Sequence, residues 1–300
     1  MLVPGYKNTD LLKVALWMIA GLLSTSMMAV SIREIGPSLS PFQILFVRSL
    51  LGTLIEASVI RASGNINLFF TKKLKLHLTR SVLHFCGQYG WIMGVTLLPL
   101  AEVFAIEFTA PIWTLIMAAV FLKEPLTREK LGSIFSALMG VWIIVDPGSD
   151  IIKPASLMML GTALFFAATF VVTKVLAFTE SPLTVLFYMS AVQCVLGFGF
   201  AIGNWVEPSV FQWSWMVMLA LAGLGAHFSI TKALQLAETS LVVTIDLLRL
   251  PLISLVGILF YGEYGSVTLF IGASLILAGN GINIYANWPK TSEPKKPTSL

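Results

Sequence analysis

The sequence predicts an all-α membrane protein of ten transmembrane helices arranged as two inverted five-helix repeats, and three observations lead there. Of 300 residues, 57% are hydrophobic and 11% charged, whereas a soluble domain carries about 25% charged residues. Nearly charge-free runs recur along the chain, each long enough to cross a hydrocarbon core about 30 Å thick. The two halves also come into register when the sequence is shifted by 139 to 141 residues.

The spans follow from breaks at charged residues and at Pro, Gly and Ser clusters. Residues 1–10 form a short polar cytoplasmic N-terminus without a small-residue cleavage pattern, so 11–32 reads as an uncleaved first span. Ser40-Pro41 opens the second span, 41–62, and a basic linker separates it from the third, 76–98. The fourth, 101–122, contains Pro111, and the fifth, 129–146, contains Gly132 and Gly140. In the second half, 155–178 is followed by 182–204, which opens on Ser181-Pro182, and then by 213–236. The ninth span, 239–261, contains Pro251, the tenth, 267–286, contains Gly272 and Gly279, and 288–300 reads as a disordered cytoplasmic tail. Residues 11–146 and 155–286 therefore form the two repeats. All spans should be helical, because a lipid-facing backbone must satisfy its own hydrogen bonds. Cys86 and Cys194 lie in apolar runs without metal or redox spacing and read as packing residues.

Cytoplasmic segments carry the excess of Lys and Arg. With the N-terminus inside, all but four of the 19 basic residues fall on the cytoplasmic side; Arg33 and Lys153 lie opposite, and Arg48 and Arg249 lie within spans. Both termini are thus expected in the cytoplasm. The net charge of +4 is a topology signal and needs no nucleic-acid partner.

At the repeat offset Ser40-Pro41 falls on Ser181-Pro182, Glu124 on Glu263 and Gly140 on Gly279, while Pro111 and Pro251 match with a one-residue slip. Five spans per half is an odd number, so the second copy is inverted, an architecture in which carriers place a midplane site between two rocking halves. Each half has an apolar Pro-containing helix, then Glu124-Pro125-Leu126-Thr127 or Gly262-Glu263-Tyr264-Gly265, then a helix with spaced glycines. This pattern resembles the drug/metabolite transporter superfamily, EamA type, over residues 11 to 287. Arg48, seven residues after Pro41, is similar to an arginine common in that family's first half, and Met189 stands at the corresponding place in the second. The resemblance implies a ten-helix carrier with a central cavity and cytoplasmic termini, from a family that moves amino acids, vitamins, nucleotide-like metabolites or drugs.

Ionisable groups inside a span are costly, so they are functional candidates by default. Glu107 falls on Asp246 and Gln88 on His227 at an offset of 139. At about 1.5 Å per residue, Glu107 sits roughly 10 Å from the outer face and Asp246 a similar distance from the inner one. They read as outer and inner polar steps of one pathway. Asp246 and Arg249, three residues apart, are positioned for an intrahelical ion pair that serves packing, gating or an amphoteric substrate. Arg48 lies at about the depth of Glu107 and reads as its partner across the bundle or as a substrate contact. His84 and Gln88 face one way on the third span; His84 reads equally as a proton shuttle or a packing group. Glu107, Asp246, His227, Gln88, Arg249, Arg48 and His84 make up the substrate-binding or coupling set. Tyr89, Trp91 and Trp113 are candidates for an aromatic wall. Glu124 and Glu263 read as helix-orienting groups, and Glu56, Lys174 and Lys232 as side chains that snorkel to water. Asn280, Asn283 and Asn287 read as interhelical packing, with a homodimer contact left open.

No His-Glu-x-x-His, phosphate loop or metal-spaced aspartate pair is present in the sequence, so neither enzyme activity nor a cofactor or metal is expected. The expected function is that of a secondary carrier, exporter or exchanger, in a bacterial-type inner membrane. Its partners would be the lipid bilayer and a small polar or zwitterionic metabolite, such as an amino acid, vitamin or nucleotide-like cofactor, moved by alternating access. A membrane-embedded lipid-modifying enzyme and a noncatalytic sensor are the alternatives.

Overall fold

The structure is a computed structural model and describes residues 8–121, 128–145, 154–177, 179–236, 245–246, 248–263 and 266–287. The first half contains α1 (Asn8–Ile35), α2 (Pro41–Ala62), α3 (Leu74–Leu97), α4 (Leu100–Glu107), α5 (Ala110–Phe121) and α6 (Arg128–Val145). The second contains α7 (Pro154–Ala177), α8 (Pro182–Ala201), α9 (Val210–Leu236), α10 (Arg249–Tyr261) and α11 (Val267–Asn287). Among the described residues, six helices are long and apolar enough to cross a membrane, and Leu252–Tyr261 and Val267–Gly279 are shorter apolar helices. Outward-facing side chains such as Leu54, Phe121 and Val195 are more than half exposed, as lipid contact requires.

The duplicated Ser-Pro dipeptide does the same work in each half. Ser40 and Ser181 are extended N-caps whose side chains accept from the backbone N–H of Gln43 (3.2 Å) and Thr184 (3.1 Å), with Pro in the first turn. Pairing between helices also follows the repeat. α1 packs on α9 and α3 on α7, contacts that exchange under a two-fold relation, while α2 packs on α8 and α6 on α11, contacts that map onto themselves.

The fourth span is not continuous, contrary to the sequence reading. Pro111 has no N–H for the carbonyl of Glu107, and the chain turns at Phe108 and Thr109 before helix resumes. Thr109 repairs part of the gap: its N–H and its hydroxyl both donate to the Ile106 carbonyl, at 3.0 and 2.7 Å. In the ninth span helix is present at Ile245–Asp246, a turn occurs at Leu248, and α10 begins at Arg249, just before Pro251. In both halves, therefore, the matching proline sits in the first turn of a helix that follows a turn.

The loops fall on two faces. On one, Gln212 donates to Ile35 O (3.0 Å) and Ser38 Oγ (2.7 Å), Gln43 donates to Val206 O (2.6 Å), and Arg33 donates to the Leu98 carbonyl. On the other, Thr71 donates to Glu180 (2.7 Å) and Tyr188 to Phe69 O (2.9 Å). Glu263 pairs with Arg33 at 2.8 Å and accepts from the Leu100 N–H at 2.8 Å. It thus orients α4, a helix of the other half, by accepting from its first N–H. Glu263→Ala should lower stability by roughly 2–3 kcal/mol through loss of a cap and a partly buried pair; chemical denaturation in detergent measures this. Glu124 lies outside the described residues, as do the side chains of Lys174, Asn280, Asn283 and Asn287.

Candidate functional site

α3 is the spine of the site. Gly90 and Gly94 bring it close to α7: a Cβ at Gly90 would lie 2.0 Å from Thr162 Oγ1, and one at Gly94 2.2 Å from Met159 Sδ. The helix also carries buried His77, Arg80, Ser81, His84, Gln88 and Trp91, whose spacing of three and four puts them along one side over about 21 Å. Neighbouring helices answer each of them. His77 lies 3.9 Å from Glu180, and Arg80 donates to Thr173 at 2.7 Å. His84 Nδ1 is hydrogen-bonded to Gln193 at 2.7 Å, and its ring meets that of His227 edge-on at 5.3 Å. Arg48 donates to Gln88 Oε1 at 2.5 Å, and Trp91 donates to Glu107 at 2.9 Å. Gly223 leaves room for the Arg48 guanidinium, since a Cβ there would lie 3.4 Å from Arg48 Nε.

The column meets a second cluster where the two broken spans come together. Arg249 reaches Glu107 at 3.2 Å and Asp246 at 3.0 Å through the same nitrogen. Its guanidinium carbon lies 5.2 Å from the Phe104 ring centroid and 5.1 Å from that of Phe108, within cation–π reach of both rings. Two carboxylates share one guanidinium in a site where the Arg249 and Glu107 side chains are each 11% exposed. Arg249 Nε has no hydrogen-bond partner. This cluster has two carboxyl groups to one guanidinium, whereas the other end of the column has the two guanidinium groups of Arg48 and Arg80 to the one carboxyl of Glu56. Together they form a buried electric dipole along the bundle.

Several expectations are corrected. Arg48 does not pair with Glu107: it binds Gln88, while Glu107 takes Arg249 and Trp91. Glu107 and Asp246 are not separate outer and inner steps, because Arg249 draws both to one place. The intrahelical Asp246–Arg249 pair is present. His227 lies against His84, with 5.3 Å between the ring centroids. Glu56 does not snorkel; it is 2% exposed and accepts from Ser190 at 3.2 Å. Arg80, counted from sequence among the cytoplasmic cations, is 6% exposed. Tyr89 stacks on Phe42 at 4.7 Å, and Trp113 donates to Thr109 at 3.2 Å, so neither stands as an open wall.

Sequence reasoning passed over Gln193, Arg80 and Glu102, which accepts from Ser156 at 2.8 Å. Arg80 carried a signal, being four residues before His84 on the face that holds Gln88. Gln193 carried none, since the repeat places it opposite Gly52.

The chain has relatives among known proteins. The chain matches the model of the EamA-like transporter family twice, over residues 12–146 and 153–285. It is 24% identical over 270 residues to the S-adenosylmethionine uptake transporter of Rickettsia bellii, covering 90% of this chain and 92% of that protein. It is 26% identical over 271 residues to the riboflavin transporter of Vibrio cholerae (89% and 91% covered) and 21% identical over 254 residues to the pseudopaline exporter of Pseudomonas aeruginosa (84% and 89%). A crystal structure with 18% identity has the same fold, with a TM-score of 0.66 over 91% of this chain and 96% of that one.

Proposed function

Because the chain belongs to the EamA-like transporter family, within the drug/metabolite transporter superfamily, we propose that this integral membrane transporter of a small metabolite carries a zwitterion by alternating access between residues 11–146 and 155–286. The observation that carries the reading is the dipolar pair of clusters: Arg48 beside Gln88 suits a carboxylate, and Glu107 with Asp246 around Arg249 suits a cationic group. Paired broken helices at membrane depth are the form in which carriers build such sites. Among the relatives, the transporter named for S-adenosylmethionine fits this class, since that molecule carries a carboxylate together with cationic groups. The relatives' names include both uptake and export, which suits a reversible exchanger whose direction follows the gradients. The excess of basic residues on one side supports a topology with both termini in the cytoplasm, in a bacterial-type inner membrane.

Thermal stabilisation of the purified protein by amino acids, S-adenosylmethionine and riboflavin tests this, because a ligand that binds the folded state raises the melting point. A zwitterion should stabilise it. Arg48→Ala should weaken that ligand by about 1.5–3 kcal/mol, the worth of a hydrogen bond to a charged group, or roughly 10- to 100-fold in Kd. Stabilisation by zwitterions that is unchanged in Arg48→Ala, or stabilisation by uncharged compounds alone, would contradict the assignment.

A further inference from the structure

The two-fold relation between the halves fails at one buried acid. Glu56 lies on α2, about 9 Å from its inner end at 1.5 Å per residue, and is 2% exposed. One carboxyl oxygen accepts from Ser190 Oγ of α8 at 3.2 Å. The other, Oε2, is fully buried and has no hydrogen-bond partner. An ionised carboxylate with an unanswered oxygen in so dry a place is costly, and a proton on that oxygen removes the charge.

The repeat supplies an internal control. At the offset of 141 that joins the two Ser-Pro dipeptides, Ser49 falls on Ser190, Arg48 on Met189 and Glu56 on Gly197. The Glu56–Ser190 contact therefore has its mirror at Gly197 and Ser49. There Gly197 closes directly on α2, where a Cβ would lie 2.8 Å from the Phe46 backbone, and Ser49 Oγ is left without a partner. The α2–α8 crossing thus closes without an acid on its mirror side, so packing alone does not demand Glu56. Both buried charged groups that distinguish α2 from α8, Arg48 and Glu56, sit on one helix two turns apart.

The charged surroundings are defined. Arg48 is the group whose field reaches Glu56. α8 carries no charged residue. From α3, Arg80 and His84, and from α9, His227, act on one another and on Arg48's end of the site. His77 of α3 faces Glu180, and Lys232 of α9 lies over the Phe228 ring.

We propose that Glu56 is a proton-binding site that couples substrate movement to proton movement. It rests on the carrier reading above. A proton from the aqueous side forms an O–H bond at Oε2 and no other bond changes. Ionised Glu56 offsets the charge of Arg48; protonated Glu56 leaves that charge to the substrate's carboxylate. Release of the proton on the other side restores the pairing and weakens the substrate's hold.

The test uses the full chain in proteoliposomes with labelled S-adenosylmethionine and labelled riboflavin as probes, comparing counterflow with accumulation driven by a pH gradient. Infrared spectroscopy on the same samples reads the carbonyl stretch of a protonated carboxyl. Wild type should accumulate a probe with the pH gradient, stop when a protonophore collapses it, and ignore a sodium gradient. Glu56→Gln should keep counterflow, lose the response to the pH gradient, and lose one protonated-carboxyl band. Counterflow in wild type without any pH-gradient response, accumulation driven by sodium alone, or pH-driven accumulation retained by Glu56→Gln would overturn the proposal. Absence of counterflow for both probes would count against the carrier reading instead, and the infrared band then decides Glu56 by itself: its absence in wild type overturns the proton site.

Discussion

Arg249→Met is expected to abolish transport and to lower stability by about 3–5 kcal/mol, the cost of leaving a buried charge without its partner. The reason lies in the geometry at the helix breaks. Glu107 and Asp246 both rely on one Arg249 nitrogen, at 3.2 and 3.0 Å, and without it two carboxylates confront each other in a nearly dry site. Arg249→Lys keeps the charge but loses the planar fork and its stacking on Phe104 and Phe108, so partial stability with poor transport is expected. The triple variant Arg249→Met, Glu107→Gln, Asp246→Asn should recover most of the melting temperature and none of the transport. Substrate uptake and thermal unfolding, measured side by side, separate the two contributions. A triple variant that transports normally would remove this cluster from the site.

Gly140→Leu is expected to cost roughly 3 kcal/mol or more, or to prevent folding, because added volume in a closed packing forces the backbone apart. At the α6–α11 crossing a Cβ on Gly140 would lie 2.5 Å from the Gly272 carbonyl oxygen and 2.7 Å from Ile276. Ser136 also donates across that crossing to Leu275 O at 2.8 Å, so separating the helices breaks a hydrogen bond as well. Gly132→Leu is the control. A Cβ there meets nothing within 4 Å, and the change should stay within about 0.5 kcal/mol. Equal loss in both variants, read from yield and melting temperature in detergent, would show that the crossing does not depend on close backbone approach.

Much of this was legible in the sequence. Hydropathy gave the helices, and the offset between Ser40-Pro41 and Ser181-Pro182 gave the repeat, because both are periodic properties of one chain. The Asp246–Arg249 pair was legible for the same reason, being fixed by helical spacing. Partners across helices were not. Arg48 and Glu107 read as sharing a depth, yet Arg48 binds Gln88 and Glu107 binds Arg249, partners on other helices that spacing within one helix does not fix. Depth counted from the ends of a span also misplaced Glu56 and Arg80, since it says nothing of whether a side chain faces lipid, water or a neighbouring helix. Pro111 and Pro251 did announce the breaks, through the missing N–H, but a hydropathy window runs smoothly over both.

Cysteine accessibility at Ser81 tests most directly whether the α3 column lines the route of the substrate. Ser81 sits between Arg80 and His84, is fully buried, and is close to cysteine in size. In a background with Cys86 and Cys194 replaced by alanine, Ser81→Cys should react with a small water-soluble thiol reagent during transport and be protected by saturating substrate, while Leu54→Cys, on the lipid-facing surface, should not react. A transport-competent Ser81→Cys protein that is inert from both sides of the membrane, or that reacts equally with and without substrate, would contradict that placement of the column.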